Sequence, residues 1–174
     1  MLSPYSHQLF CALRPPPDQA SYLWSQFDWL ETDEDRVEPE RYHVTLLPLG
    51  RWPSHPERRI KRVRRVCASL KAQPFRIVLD HLVIGDRVLL KPSETPPALE
   101  RFQFRLMSAL ADEGLVKRRY NSFSPHLTAS YRAKPGGRAF VPPASWIVRE
   151  FILIESLVGC RTQIEQGSWV LQNG

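Results

Sequence analysis

The sequence predicts a mixed fold of strands and helices arranged as two related lobes. Three observations carry that prediction. Short apolar runs closed by proline or glycine read as strands, and three stretches with apolar residues at helical spacing read as helices. The third observation is an internal echo. An apolar strand, a proline-rich turn, an amphipathic helix and a His-x-Thr strand follow one another over residues 8–46 and again over 87–129. The likeness is of layout rather than of residues, and it gives each lobe one histidine beside the cleft between them. With 174 residues the chain reads as a single two-lobed domain over 1–174. A domain of that size buries about 70% of its unfolded surface, so its core needs neither disulfide nor metal.

Residues 8–13 are the first predicted strand, stopped by Pro15-Pro16-Pro17, which opens a helix striped by Ala20, Leu23, Trp24, Phe27 and Leu30. A solvated loop with Asp33, Glu34 and Asp35 leads to a strand over 42–47, closed by Pro48 and Gly50. The second helix, 57–72, buries Ile60, Val63, Cys67 and Leu70 and carries Arg58, Arg59, Lys61, Arg62, Arg64 and Arg65 elsewhere. That basic face reads first as a solvated surface and second as a track for phosphates. Residues 75–84 and 86–91 read as a hairpin about Gly85-Asp86. The third helix, 97–113, is striped by Leu99, Phe102, Leu106, Met107 and Leu110 and capped by Gly114. After Lys117-Arg118-Arg119 come a strand over 126–131, a flexible loop at 134–138, and strands over 146–157 and 168–171.

No run approaches the ~18 uninterrupted apolar residues of a membrane-spanning helix. The first residues lack the basic segment and apolar run of a secretory signal, so the expected location is the cytoplasm. Cys11, Cys67 and Cys160 are odd in number and set among apolar neighbours, which suits small buried hydrophobes better than a disulfide framework. A formal charge of +6 and a pI of about 9.5 favour an anionic partner, with nucleic acid the leading candidate.

The chemistry resides in His43-Val44-Thr45-Leu46 and His126-Leu127-Thr128-Ala129. Strand side chains alternate, so in each motif His and Thr share one face while Val44, Leu46, Leu127 and Ala129 turn to the core. Cleaving a phosphodiester requires a proton taken from the attacking oxygen and one given to the leaving oxygen, and imidazole does either near neutrality. Two histidines facing one phosphate divide those tasks, and the Thr45 and Thr128 hydroxyls are placed to donate to non-bridging oxygens. This scheme calls for no metal and no cofactor. His7, His55 and His81 lack the motif, and no local ligand spacing of a zinc site surrounds them.

These residues resemble the two-histidine phosphoesterase superfamily, most closely its bacterial RNA 2′,3′-cyclic phosphodiesterases, also called 2′-5′ RNA ligases. His7 to Leu13 followed by prolines resembles the family's first strand, and Glu40-Arg41-Tyr42-His43-Val44-Thr45-Leu46 with Leu49-Gly50 its first motif. Phe123-Ser124-Pro125-His126-Leu127-Thr128 resembles the second motif, and Phe151-Ile152-Leu153-Ile154-Glu155-Ser156 the closing strand. The resemblance implies a bilobal α+β fold with two antiparallel sheets lining a central groove and helices outside. It implies hydrolysis of RNA 2′,3′-cyclic phosphate ends to 2′-phosphomonoesters, with His43 the proton donor and His126 the base. Thr45 and Thr128 would bind phosphate. Arg132 is a candidate substrate contact, although Ala129-Ser130-Tyr131-Arg132 departs from the family's register, and Tyr42 and Tyr131 are candidates to stack on a base. The partner expected is an RNA end or a small nucleotide, met by a monomer away from membranes. Ligation or cleavage of a 2′-5′ linkage, another cyclic nucleotide as substrate, and a binding module without turnover are the alternatives.

Overall fold

The computed structural model describes residues 5–30, 35–118, 123–132 and 141–172. In chain order these form β1 (Ser6–Leu13), α1 (Pro17–Gln26), a 3₁₀ turn (Pro39–Arg41), β2 (Val44–Trp52), α2 (Glu57–Ser69), β3 (Phe75–Leu79), β4 (His81–Ile84) and β5 (Val88–Lys91). There follow α3 (Pro97–Asp112), β6 (Leu127–Ser130), β7 (Ala144–Val148), β8 (Glu150–Val158) and β9 (Thr162–Val170). Asp33, Glu34, Arg119 and the loop expected at 134–138 lie outside the described residues. No helix among the described residues is long and apolar enough to cross a membrane.

The fold is α+β with two antiparallel sheets. One runs β4-β5-β6-β2-β1-β8-β9 and the other pairs β3 with β7. The internal echo is visible in this order. β1-α1-β2 and β5-α3-β6 are each an antiparallel pair bridged by a helix, and the two pairs meet where β2 lies beside β6. That junction is a seam: among the described residues its only Cα partnership between the two strands is Val44 with Leu127.

Two strands expected to be continuous are broken, at Asp80 and at Arg149. The segments before each break, β3 and β7, pair with one another, while those after it, β4 and β8, flank β5 and β1. At the first break the Asp80 carboxylate accepts hydrogen bonds from the Ser93 backbone N–H at 2.6 Å and hydroxyl at 2.7 Å. These bonds, across 13 residues, tie the break to the segment that leads into α3.

Helix α3 buries the predicted stripe in full. It ends in a Schellman motif, with Gly114 at φ 66°, its N–H donating to Ala111 O and that of Leu115 to Leu110 O. Helix α2 ends three residues earlier than expected and buries Val66 in place of Leu70. Its Arg59 and Arg62 donate to the Leu115 and Glu113 carbonyls beside the end of α3, so part of the basic face is structural. Cys11 and Cys67 are buried, whereas Cys160 is exposed at the β8–β9 turn, contrary to the expectation of three buried thiols; all three are free.

Pro48 does not close its strand. Beyond the seam the outer edge of β2 has no strand partner among the described residues, so a missing N–H there costs no ladder bond. The pairing with β1 skips Leu49 between Pro48 and Gly50, a bulge, and Gly50 takes φ 129°. A Cβ on Gly50 would meet the Trp52 ring at 2.7 Å. Gly50→Ala is therefore expected to cost about 1–3 kcal/mol of stability through backbone strain and ring displacement. Urea unfolding checks this, and an unchanged midpoint would refute it.

The main core spans both lobes, and Val44, Leu46, Leu127 and Ala129 all belong to it, as their alternation predicts. A second, small cluster of Phe10, Ala12, Ile152 and Ile154 lies on the other face of β1 and β8.

Candidate active site

Each motif histidine stands immediately before its strand, held by the same local bond. His43 Nδ1 lies 2.7 Å from the Arg41 carbonyl, and His126 Nδ1 lies 2.8 Å from the Ser124 carbonyl. A carbonyl only accepts, so Nδ1 carries the proton in both rings and Nε2 remains available for chemistry. The residue between acceptor and histidine, Tyr42 or Pro125, is buried and anchors the turn.

The seam brings the motifs together. Continuing the Val44–Leu127 register by one residue each way sets His43 across from Thr128 and Thr45 across from His126. The four side chains thus form two mixed pairs on one face, and all four are partly exposed. Opposed antiparallel residues have Cβ atoms about 4.5–5.5 Å apart, a span suited to gripping one phosphate from both sides. That face is the one bearing the small apolar cluster, since Phe10 lies 4.9 Å from His43 between ring centroids and Ala12 pairs with Thr45.

Burial pushes the His43 pKa down to about 4, against the pull of its bond to the Arg41 carbonyl, and the charges of Arg14, Arg41 and His126 lower it further. The free groove therefore holds His43 neutral at physiological pH. A cavity of about 460 Å³ opens beside it, with Arg14, Arg41, Arg161 and Gln163 in its lining. The Gln163 amide lies 3.5 Å from His43 Nδ1 and accepts from Arg14 at 3.4 Å. Arg41 and Arg161 are both partly neutralised by Glu38.

Of the other expected site residues, Tyr42 requires correction. It is 1% exposed within the main core, so its ring offers no face to a base, and burial pushes its hydroxyl pKa well up. Tyr131 is exposed, with the Arg87 guanidinium 5.8 Å from its ring centre. Arg132 forms a 3.2 Å ion pair with Asp35. Arg14, Arg161 and Gln163 escape sequence reasoning. Gln163 arrives from β9 only through strand pairing, and Arg14 precedes the prolines with no motif of its own.

The family model described as the 2′-5′ RNA ligase superfamily matches residues 15–159. Among solved structures, Escherichia coli LigT in apo form is 22% identical, covers 97% of this chain and 99% of its own, and superposes with a TM-score of 0.77. The same values hold for E. coli LigT complexed with 3′-AMP. TT0787 of Thermus thermophilus is 20% identical, with 94% and 97% coverage and a TM-score of 0.71. No curated protein matches the chain significantly in sequence. With a family model covering both histidine motifs and the fold shared with these structures, the chain belongs to the 2′-5′ RNA ligase superfamily of two-histidine phosphoesterases.

Proposed function

We propose that this protein opens RNA 2′,3′-cyclic phosphate ends to 2′-phosphomonoesters by acid–base catalysis between His43 and His126, with no metal in the groove. The observation that carries the reading is the matched pair of Nδ1–carbonyl bonds, which free two Nε2 atoms on either side of one seam. In the proposed reaction His126 Nε2 takes a proton from water as its oxygen bonds to phosphorus. The bond from phosphorus to the 3′ oxygen breaks, and His43 gives that oxygen its proton. The Thr45 and Thr128 hydroxyls donate to the non-bridging oxygens, where charge builds toward the transition state. Exchange with solvent then restores both rings. The family's name and a relative solved with 3′-AMP support a nucleotide substrate. With a 5′ hydroxyl in water's place, attack on phosphorus and departure of the same 3′ oxygen would join a 2′-5′ linkage, but abundant water favours hydrolysis.

A proton donor must be charged, and charging a group of pKa about 4 at pH 7 costs about 4 kcal/mol. The substrate phosphate supplies the missing counter-charge. Accordingly, inorganic phosphate or 2′-AMP is expected to raise the His43 pKa, read from the ring resonances by NMR titration. Because the ligand favours the protonated ring, its affinity rises as pH falls through the raised pKa and levels off below about 4. An unchanged His43 titration in the complex would remove it from the donor's role.

The direct test is incubation of the chain, with chelator present, with a short RNA ending in a 2′,3′-cyclic phosphate, followed by phosphorus NMR. Turnover to a 2′-phosphate is expected. Binding without turnover would favour a non-catalytic module or another diester.

A further inference from the structure

We propose that His7, His55 and Glu155 form a binding site for one divalent transition ion of the zinc class, on the face of the sheet turned away from the groove. His7 Nδ1 lies 2.5 Å from Glu155 Oε1, and His55 Nδ1 lies 2.9 and 3.1 Å from the two carboxylate oxygens. One ligand atom from each of the three residues falls within 4.8 Å of the others. Zinc binds imidazole nitrogen and carboxylate oxygen at about 2.0–2.2 Å, which sets tetrahedral ligands roughly 3.3 Å apart. Both imidazoles therefore already converge on one carboxylate, within the reach of a single ion, which takes the place of the hydrogen bonds they now make.

The surroundings suit a cation. Glu155 is 1% exposed and His7 is 8% exposed, yet among the described residues no Lys or Arg pairs with the carboxylate. Its partners are two imidazoles and the Gln166 amide, which donates to Oε2 at 2.5 Å. A carboxylate buried with no Lys or Arg partner among the described residues is a setting in which a bound cation offsets the charge. Gln166 holds the carboxylate through Oε2, the kind of outer bond that orients a metal ligand. The His55 side chain is 48% exposed, giving an ion entry and leaving a fourth position for water.

This site is separate from the histidine pair. On β1, His7 alternates with Leu9, Cys11 and Leu13, and on β8, Glu155 alternates with Leu153 and Phe151, all in the main core. His43 sits against Phe10 on the opposite face. An ion here ties the start of β1, the far half of β8 and the segment before α2 into one unit, and does not reach the reacting phosphate.

The test uses the full chain, freed of metal by chelation and then titrated with Co²⁺, with visible absorption reporting four-coordinate geometry and Zn²⁺ displacing the probe. One equivalent is expected, with a rise in Tm on loading. His55→Ala, at an exposed position, and Glu155→Gln should each abolish stoichiometric binding, Gln166→Ala should weaken it about 10–100-fold, and His43→Ala should retain it. Should Glu155→Gln fail to fold, His55→Ala decides alone. Absence of Co²⁺ and Zn²⁺ binding by the wild type would overturn the proposal and leave a hydrogen-bonded cluster only. So would binding that survives His55→Ala, which places the ion elsewhere.

Discussion

Alanine at His43 or at His126 lowers kcat on an RNA 2′,3′-cyclic phosphate by about 10²–10⁴-fold, the usual contribution of a positioned general acid or base. Neither ring is part of the main core, so both variants should fold, and a circular dichroism melt checks that first. The two losses are of similar size but differ in pH dependence. Removing the base removes the acidic limb of the kcat/KM profile, because the base works only when deprotonated. Removing the donor removes the alkaline limb. With His43 as donor and His126 as base, His126→Ala flattens the acidic side and His43→Ala the alkaline side. The reverse pattern would exchange the roles, and mild, equal losses at both positions would sink acid–base catalysis altogether.

Valine at Thr45 or at Thr128 is expected to lower the rate by about 10–150-fold, corresponding to roughly 1.5–3 kcal/mol for a hydroxyl bonded to charged phosphate. Valine keeps the branched shape and the strand preference, so the loss reports the hydroxyl alone. The seam register makes the two positions equivalent, each opposite the other motif's histidine, and predicts similar effects. Both should fall mainly on kcat, since the non-bridging charge they meet grows toward the transition state. A threonine variant that leaves single-turnover rates unchanged would remove that hydroxyl from the phosphate cradle.

Much of the frame was legible because periodicity reports burial directly. Helix α3 shows its stripe and its glycine cap in the amino-acid order, and the His-x-Thr repeats mark the seam. Legibility ends where long-range pairing decides. Strand β9 is largely polar and exposed at the sheet's end, so only its last residues, 168–171, stood out in the sequence. The Gln163 it delivers to His43 was invisible for that reason. Breaks at Asp80 and Arg149 fall inside apolar runs, where nothing local separates one strand from two. Tyr42 shows the same limit in reverse. Its place beside His43 suggested substrate contact, but alternation turns it inward into the core. His7, His55 and Glu155 lie on segments far apart in the chain, and no spacing rule joins residues that meet only through the sheet.

The seam has a mechanical consequence. Each imidazole is fixed to its own lobe by a bond two residues long, while among the described residues the lobes share only short backbone pairings, Val44 with Leu127 and the bridge of Arg36 to Ser130. The gap between the two rings is thus set by packing across the joint, for example by α3, whose Gln103 reaches the Leu46 carbonyl of β2 at 3.3 Å. A joint of two short pairings yields before the longer ladders on either side of it. On warming, the alignment of the two proton-transfer groups is lost while both lobes are still folded, so heat inactivates this protein at a lower temperature than it melts it.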